Sequence, residues 1–276
     1  LHNRRSDQRK RRPRDVMSQN EQQDGRETTD EYAEENEHLP AEGGLTSGPR
    51  TEPVTFGTPV YTSILIACFV GVSIAQFSAD LERSVIVAGF VKPIFVSGEY
   101  WRILTGAALH GGVLHLFLNS FAFFSFGRLF EGLSNRAHLP IVFLLAAVGG
   151  GVLSLIFKPN GTSVGASGGI LGVVSYLAVY TFARRQFVSP AFRKDMLVNV
   201  AFILAFGLVL YDIIDNYGHV GGLIVGAVYG LIQIPRDPYV DPRAVSSRVE
   251  STGLAFLAAW IAISGFSIFL ILSYGG

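Results

Sequence analysis

Charge is what this chain has least of. Only 16% of its 276 residues are Asp, Glu, Lys or Arg, where a soluble domain carries about a quarter. The charges present cancel to a net +0, so no overall field selects a polyanion, and nucleic acid is not expected as a partner. The single cysteine, Cys68, excludes an internal disulfide and any multi-cysteine metal centre. It lies in an apolar stretch and reads as a packing residue. No secretory signal pattern opens the chain, whose first residues are polar and Arg-rich. The sequence starts at Leu1, with Met17 as an alternative start.

Apolar sequence fills the space that charge leaves. Hydrophobic residues make up 49% and the mean hydropathy is +0.36. A bilayer core about 30 Å thick needs roughly 20 mostly apolar residues per helix. Seven stretches qualify as candidate spans: 60–77, 113–133, 139–157, 165–183, 196–211, 219–234 and 253–274. The fifth and sixth are short, as suits helices shielded by neighbours or beside a water-filled cavity. The expected fold is therefore all-α and polytopic, with a lipid bilayer around it.

The organisation follows from the same patterning. Residues 1–57 form a polar tail, expected to be disordered and cytosolic. It carries a basic cluster (Arg4, Arg5, Arg9, Lys10, Arg11, Arg12, Arg14) and then an acidic stretch over 21–42. Residues 58–234 hold six spans, 235–252 a polar linker, and 253–276 a seventh, C-terminal span. Lys and Arg accumulate in cytoplasmic loops. Arg184, Arg185, Arg193 and Lys194 follow the fourth span; Arg236, Arg243 and Arg248 follow the sixth; Arg128 and Arg136 lie at the end of the second. The other face has few, apart from Arg83, Lys92 and Arg102 in the long first connection and Lys158 in the third. The N-terminus is thus expected inside and the C-terminus outside.

This orientation has a chemical consequence. Spans two, four and six all run from outside to inside. His115 and Asn119, Ser167, and His219 lie near the starts of those spans, hence at one depth. Ser167 sits in Gly165-Ala-Ser-Gly-Gly169, and His219 opens a run in which Gly218, Gly222, Gly226 and Gly230 recur every four residues, on one helix face. With Gly165, Gly168, Gly169 and Gly172 as a matching surface, two backbones can approach closely. That approach would bring Ser167 within reach of His219, and a serine becomes a nucleophile when a base takes its proton. Such glycines also fill ordinary helix interfaces, and a membrane serine is commonly satisfied by its own backbone. An ionisable histidine at membrane depth, however, is a functional candidate by default. His115 and Asn119, four apart, share one helix face and can donate to a developing oxyanion. The amide of Ser167, at a helix start, is a further donor. The bland alternative for that pair is an interhelical polar clamp. His110 lies just upstream as a possible support; His2, His38 and His138 receive no role.

Two other motifs fail on context. Gly-x-Ser-x-Gly also describes a nucleophile elbow, but that turn needs a preceding strand in an α/β sheet, and no alternating pattern precedes Gly165. Three histidines suggest zinc, but no His-Glu-x-x-His or cysteine cluster supports a metal, and no cofactor is expected. A transporter would show paired intramembrane charges or inverted repeats; neither is evident.

Trp101-Arg102, His110, His115-Leu-Phe-Leu-Asn119, Gly165-Ala-Ser167-Gly-Gly169 and His219-x-x-Gly222-x-x-x-Gly226 together closely resemble the rhomboid family of intramembrane serine proteases. The resemblance covers roughly residues 61–234 and implies a six-helix rhomboid core plus a seventh transmembrane helix. It implies Ser167 as nucleophile and His219 as general base, a dyad with no carboxylate, with Asn119, His115 and the Ser167 amide as the oxyanion hole. Trp101-Arg102 would belong to a first loop lying partly in the outer leaflet. Substrates would be single-span membrane proteins, cut in or near the outer part of their membrane segment and entering past span five and the loop after it. Where some members place a tyrosine four residues after the serine, this chain has Leu171, so an aliphatic side chain is expected against the histidine. The alternative is a catalytically inactive rhomboid-like protein that binds or traffics membrane clients; such relatives typically lack the serine or the histidine. The expected location is a bacterial cytoplasmic membrane, since no organelle transit signal is evident.

Overall fold

A computed structural model describes residues 57–209 and 214–274 of the chain. Residues 1–56, which hold nearly all of the expected tail, 210–213, which include the end of the expected fifth span, and 275–276 lie outside the described residues. The long helices are α1 (Val60–Ser78), α5 (Val113–Leu133), α6 (His138–Phe157), α7 (Ser167–Ala183), α8 (Pro190–Val209), α9 (Asn216–Gln233) and α10 (Ser247–Tyr274). Of these, α1, α5, α6 and α10 are long and apolar enough to cross a membrane by themselves. The fourth apolar stretch, α7, is a 17-residue helix. The fifth and sixth, α8 and α9, fall outside that criterion. Arg193, Lys194 and Asp195 stand within the opening of α8, and Asn216, His219, Gln233 and the glycines of α9 dilute its apolar residues.

The core is built where small residues let backbones touch. A Cβ on Gly222 would collide with the carbonyl oxygen of Gly168, and one on Gly226 with that of Gly172. From α6, Gly150 faces Gly218 in the same way, with its virtual Cβ 2.5 Å from the Gly218 carbonyl. Helices α6, α7 and α9 thus meet backbone to backbone, a contact open only to glycine and its smallest substitutes. The matching surface expected on α7 is narrower than the sequence suggested. Gly168 and Gly172 face α9, but Gly169 packs on Phe143 of α6 and Gly165 precedes the helix. A helix turns about 100° per residue, so consecutive glycines cannot share a face.

The long first connection is more structured than a loop. It contains α2 (Leu81–Ala88), β1 (Phe90–Val91), α3 (Lys92–Val96) and α4 (Arg102–Ala108). Asp80 caps α2 through Arg83 N–H at 2.7 Å. Arg102 is 5% exposed; its guanidinium donates to the carbonyls of Ile86 (3.0 Å) and Gly89 (2.9 Å) and to Glu99 (2.7 Å). One arginine therefore closes the whole connection. Strand β1 pairs antiparallel with β2 (Thr162–Ser163), Phe90 against Ser163, and Gly165 N–H donates to Gly106 O at 2.9 Å. A strand thus does precede Ser167, against the sequence reading. It has two residues, too few for an alternating pattern, and no α/β sheet surrounds it.

Helix α10 packs on α1, α2, α4 and α6. Its Trp260 is fully buried against Phe69 and Phe143, and Phe266 meets the edge of Trp101. The linker before it is held by buried Arg184, which donates to the carbonyls of Asp237 (2.7 Å) and Val240 (2.9 Å). Cys68 is half-buried beside the apolar core.

Candidate active site

Ser167 is the first residue of α7, after a turn in which Gly165 takes φ +126°. That value is open to glycine and costly for other residues. The first amides of a helix have no partner within it, so the Ser167 N–H faces outward from the helix start. His219 stands in the opening turn of α9, one turn beyond its cap Asp215. The glycine contacts between α7 and α9 close the remaining gap: Ser167 Oγ and His219 Nε2 are 2.9 Å apart. A hydroxyl and an imidazole at that distance can exchange a proton. His219 is 8% exposed, and among the described residues its buried Nδ1 has no hydrogen-bond partner.

His115 and Asn119 come from α5 and reach the same place through Gly165. A Cβ on Gly165 would lie 2.7 Å from His115 Cε1, 2.9 Å from His115 Nε2 and 3.9 Å from Asn119 Nδ2. Gly111 N–H donates to His115 Nδ1 at 3.1 Å. In a neutral ring with Nδ1 accepting, Nε2 carries the proton and becomes the donor on the Gly165 side. Asn119 spends one amide hydrogen on the His115 carbonyl (3.1 Å) and keeps the other. His110 is fully buried beneath His115, ring edge to face at 5.3 Å. It is pinned by Ser73 (3.3 Å) and by two hydrogen bonds between its backbone and the Gln76 amide.

The four residues singled out from the sequence therefore come together from α5, α7 and α9. One histidine assignment changes. His138, given no role in an inner loop, starts α6, is buried, and binds Tyr229 Oη at 2.7 Å. His2 and His38 lie outside the described residues. Sequence reasoning also missed a pair of charges at the site. Buried Lys92 stands 3.8 Å from Asp215, two residues from connections far apart in the chain. No cluster of three or more His, Cys, Asp or Glu suited to a metal occurs among the described residues.

A largely helical bundle with apolar spans defines a polytopic membrane protein, with a serine–histidine pair where glycine contacts bring α7 and α9 together. The profile of the rhomboid domain matches residues 97–236, and the chain belongs to the rhomboid family. It is 32% identical over 183 residues to rhomboid protease GluP of Bacillus subtilis, covering 64% of this chain and 36% of that protein. It is 29% identical over 198 residues to RHOMBOID-like protein 6, mitochondrial, of Arabidopsis thaliana, covering 67% and 64%. It is also 30% identical over 142 residues to inactive rhomboid protein 1 of Rattus norvegicus, covering 51% and 16%. The chain thus spans between about a third and two thirds of the first two relatives and a smaller part of the third. The family contains both kinds of protein, so the site's own chemistry must separate them.

Proposed function

We propose that the chain is an intramembrane serine endopeptidase that cleaves single-span membrane proteins in or near the outer part of their membrane segment. The observation that carries this reading is the 2.9 Å contact between Ser167 Oγ and His219 Nε2. His219 takes the Ser167 proton as Oγ attacks the scissile carbonyl, then gives it to the leaving amine. The oxyanion is received by the Ser167 N–H together with Asn119 Nδ2 and His115 Nε2, the last two of which already converge about Gly165. Water then hydrolyses the acyl-enzyme, with His219 again as base. A cavity of about 50 Å³ beside Ser167, lined also by Ser163 and Asp215, has room for water next to the ester.

The Lys and Arg distribution supports an orientation with the dyad toward the outer face, where water is available without a breach of the bilayer. A substrate helix must unwind locally before a carbonyl is exposed, so small or helix-breaking residues are expected near the cut. Entry past α8 fits its sparse packing, since only Met196 and Gly207 of that helix are buried. An inactive, client-binding rhomboid would have no use for a hydroxyl aligned on an imidazole.

Purified wild-type protein and Ser167→Ala in liposomes, given a single-span reporter with small residues near its outer boundary, test the reading. Cleavage by wild type alone supports it. Cleavage retained in folded Ser167→Ala overturns it.

A further inference from the structure

His219 lacks what usually orients a catalytic imidazole. In a serine–histidine–aspartate triad the carboxylate holds the ring through Nδ1; here Nδ1 has no partner among the described residues. A carboxylate is nonetheless close by, acting on the backbone. Asp215 caps α9 by accepting from Gly218 N–H at 3.1 Å, and its carbonyl accepts from His219 N–H at 3.1 Å. It stands four residues before His219. Ser163 stands four residues before Ser167, and its Oγ donates to the Asp215 carboxylate at 2.5 Å. A second link thus runs beside the Ser167–His219 contact, four residues upstream in both segments.

Two further elements complete the cluster. Ser154 of α6 also donates to the Asp215 carboxylate. Lys92 of α3, 1% exposed, donates to Ser163 Oγ at 3.0 Å and faces the carboxylate at 3.8 Å. Glycine packing fixes how near α7 and α9 approach, but it leaves each helix free to slide or rotate along the other. A lateral hydrogen-bonded link removes that freedom. Burying a lysine beside a partly buried aspartate is costly unless their partners are well placed, and a cap alone needs no lysine, since asparagine or serine serves as well.

We infer that Asp215, tied to Ser163 and backed by Ser154 and Lys92, is a positioning brace that sets the register of His219 against Ser167 in place of a third catalytic group. The inference rests on the protease reading above. It makes Asp215 a positioning residue, touching neither substrate nor the reacting atoms, and so it acts on the rate of serine activation more than on substrate binding.

The test is the rate of Ser167 labelling by a fluorophosphonate in the purified full chain, read as a rate constant and an end point. A merely structural residue would lower the end point, the fraction of folded sites, and leave the rate constant of the surviving sites unchanged. The brace requires the opposite. Asp215→Ala should lower the rate constant at least tenfold at a similar end point, and kcat for a reporter should fall with KM within about twofold. Asp215→Asn keeps an acceptor oxygen for Gly218 N–H and turns an NH2 toward the serines, whose hydroxyls can reorient to accept from it, so part of the rate should return. If Asp215→Ala yields no folded protein, Ser163→Ala carries the test, with a three- to tenfold lower rate constant expected. A wild-type rate constant in whichever variant folds overturns the brace. No labelling of wild type at all overturns the protease reading first, and is told apart by that control.

Discussion

Helices α8 and α9 invert the usual relation between apolarity and burial. Helix α8 presents Leu197, Val198, Phe202, Phe206, Leu208 and Val209 outward, touches only α7 and α9 substantially, and buries two residues. Helix α9 is rich in glycine and carries a histidine, yet His219, Gly221, Gly222, Gly226 and Gly230 are all buried. Water would have driven the phenylalanines inward. In lipid, apolar side chains gain nothing by leaving the surface, and association falls to close van der Waals contact between small residues and to polar links. Where α7 and α9 meet, the contact is therefore made by glycines and hydrogen bonds, and the candidate site sits there.

That contrast can be broken most severely at Gly222. Its virtual Cβ already collides with the Gly168 carbonyl, so Gly222→Leu forces α7 and α9 apart. Overpacking a close interface costs about 1–3 kcal/mol or more; here it also separates the dyad, and both the cooperative thermal transition and Ser167 labelling should be lost. Trp260→Ala comes next. It empties a fully buried site between Phe69 and Phe143. A loss of about 3 kcal/mol is expected, the low end for a buried aromatic because no transfer from water is involved, measured by unfolding in mixed micelles.

Gly165→Ala should be milder in stability and sharper in activity. The left-handed backbone costs a non-glycine residue about 1–2 kcal/mol, and the new methyl would press on His115. Reporter cleavage should fall more than the melting temperature does. Phe202→Ala is the control on the loose side. It removes an exposed ring stacked only on Phe206, and stability should stay within about 0.5 kcal/mol. A Phe202→Ala loss as large as that of Trp260→Ala would end the contrast.

Much of this was legible from residue types alone. Seven apolar stretches became seven helices, with ends shifted by a few residues, because length and hydropathy are local properties. Ser167, His219, Asn119 and His115 could be named because glycine spacing and depth are also readable along one chain. The first connection was not. Its two-residue strand and short helices are held by Arg102 and by pairing with β2, contacts that leave no period in the sequence. Asp215 was not singled out from the sequence, although an aspartate just ahead of a helix is a cap signal. Its link to Ser163 and Lys92 joins three separate connections and needed the fold. His138 looked like a loop residue for the same reason: its partner Tyr229 lies on α9.

Glycine packing places His219 against Ser167, and the proposed protease function requires that this contact make the serine a nucleophile. The most direct measurement is fluorophosphonate labelling of the purified protein, with the modified residue mapped by mass spectrometry, in wild type and in His219→Ala. One label is expected on Ser167 in wild type and, in a folded His219→Ala protein, a rate lower by on the order of 10³-fold or more, as for loss of a triad base. Labelling of Ser167 at the same rate without His219, or no label on Ser167 in the folded wild type, would contradict it.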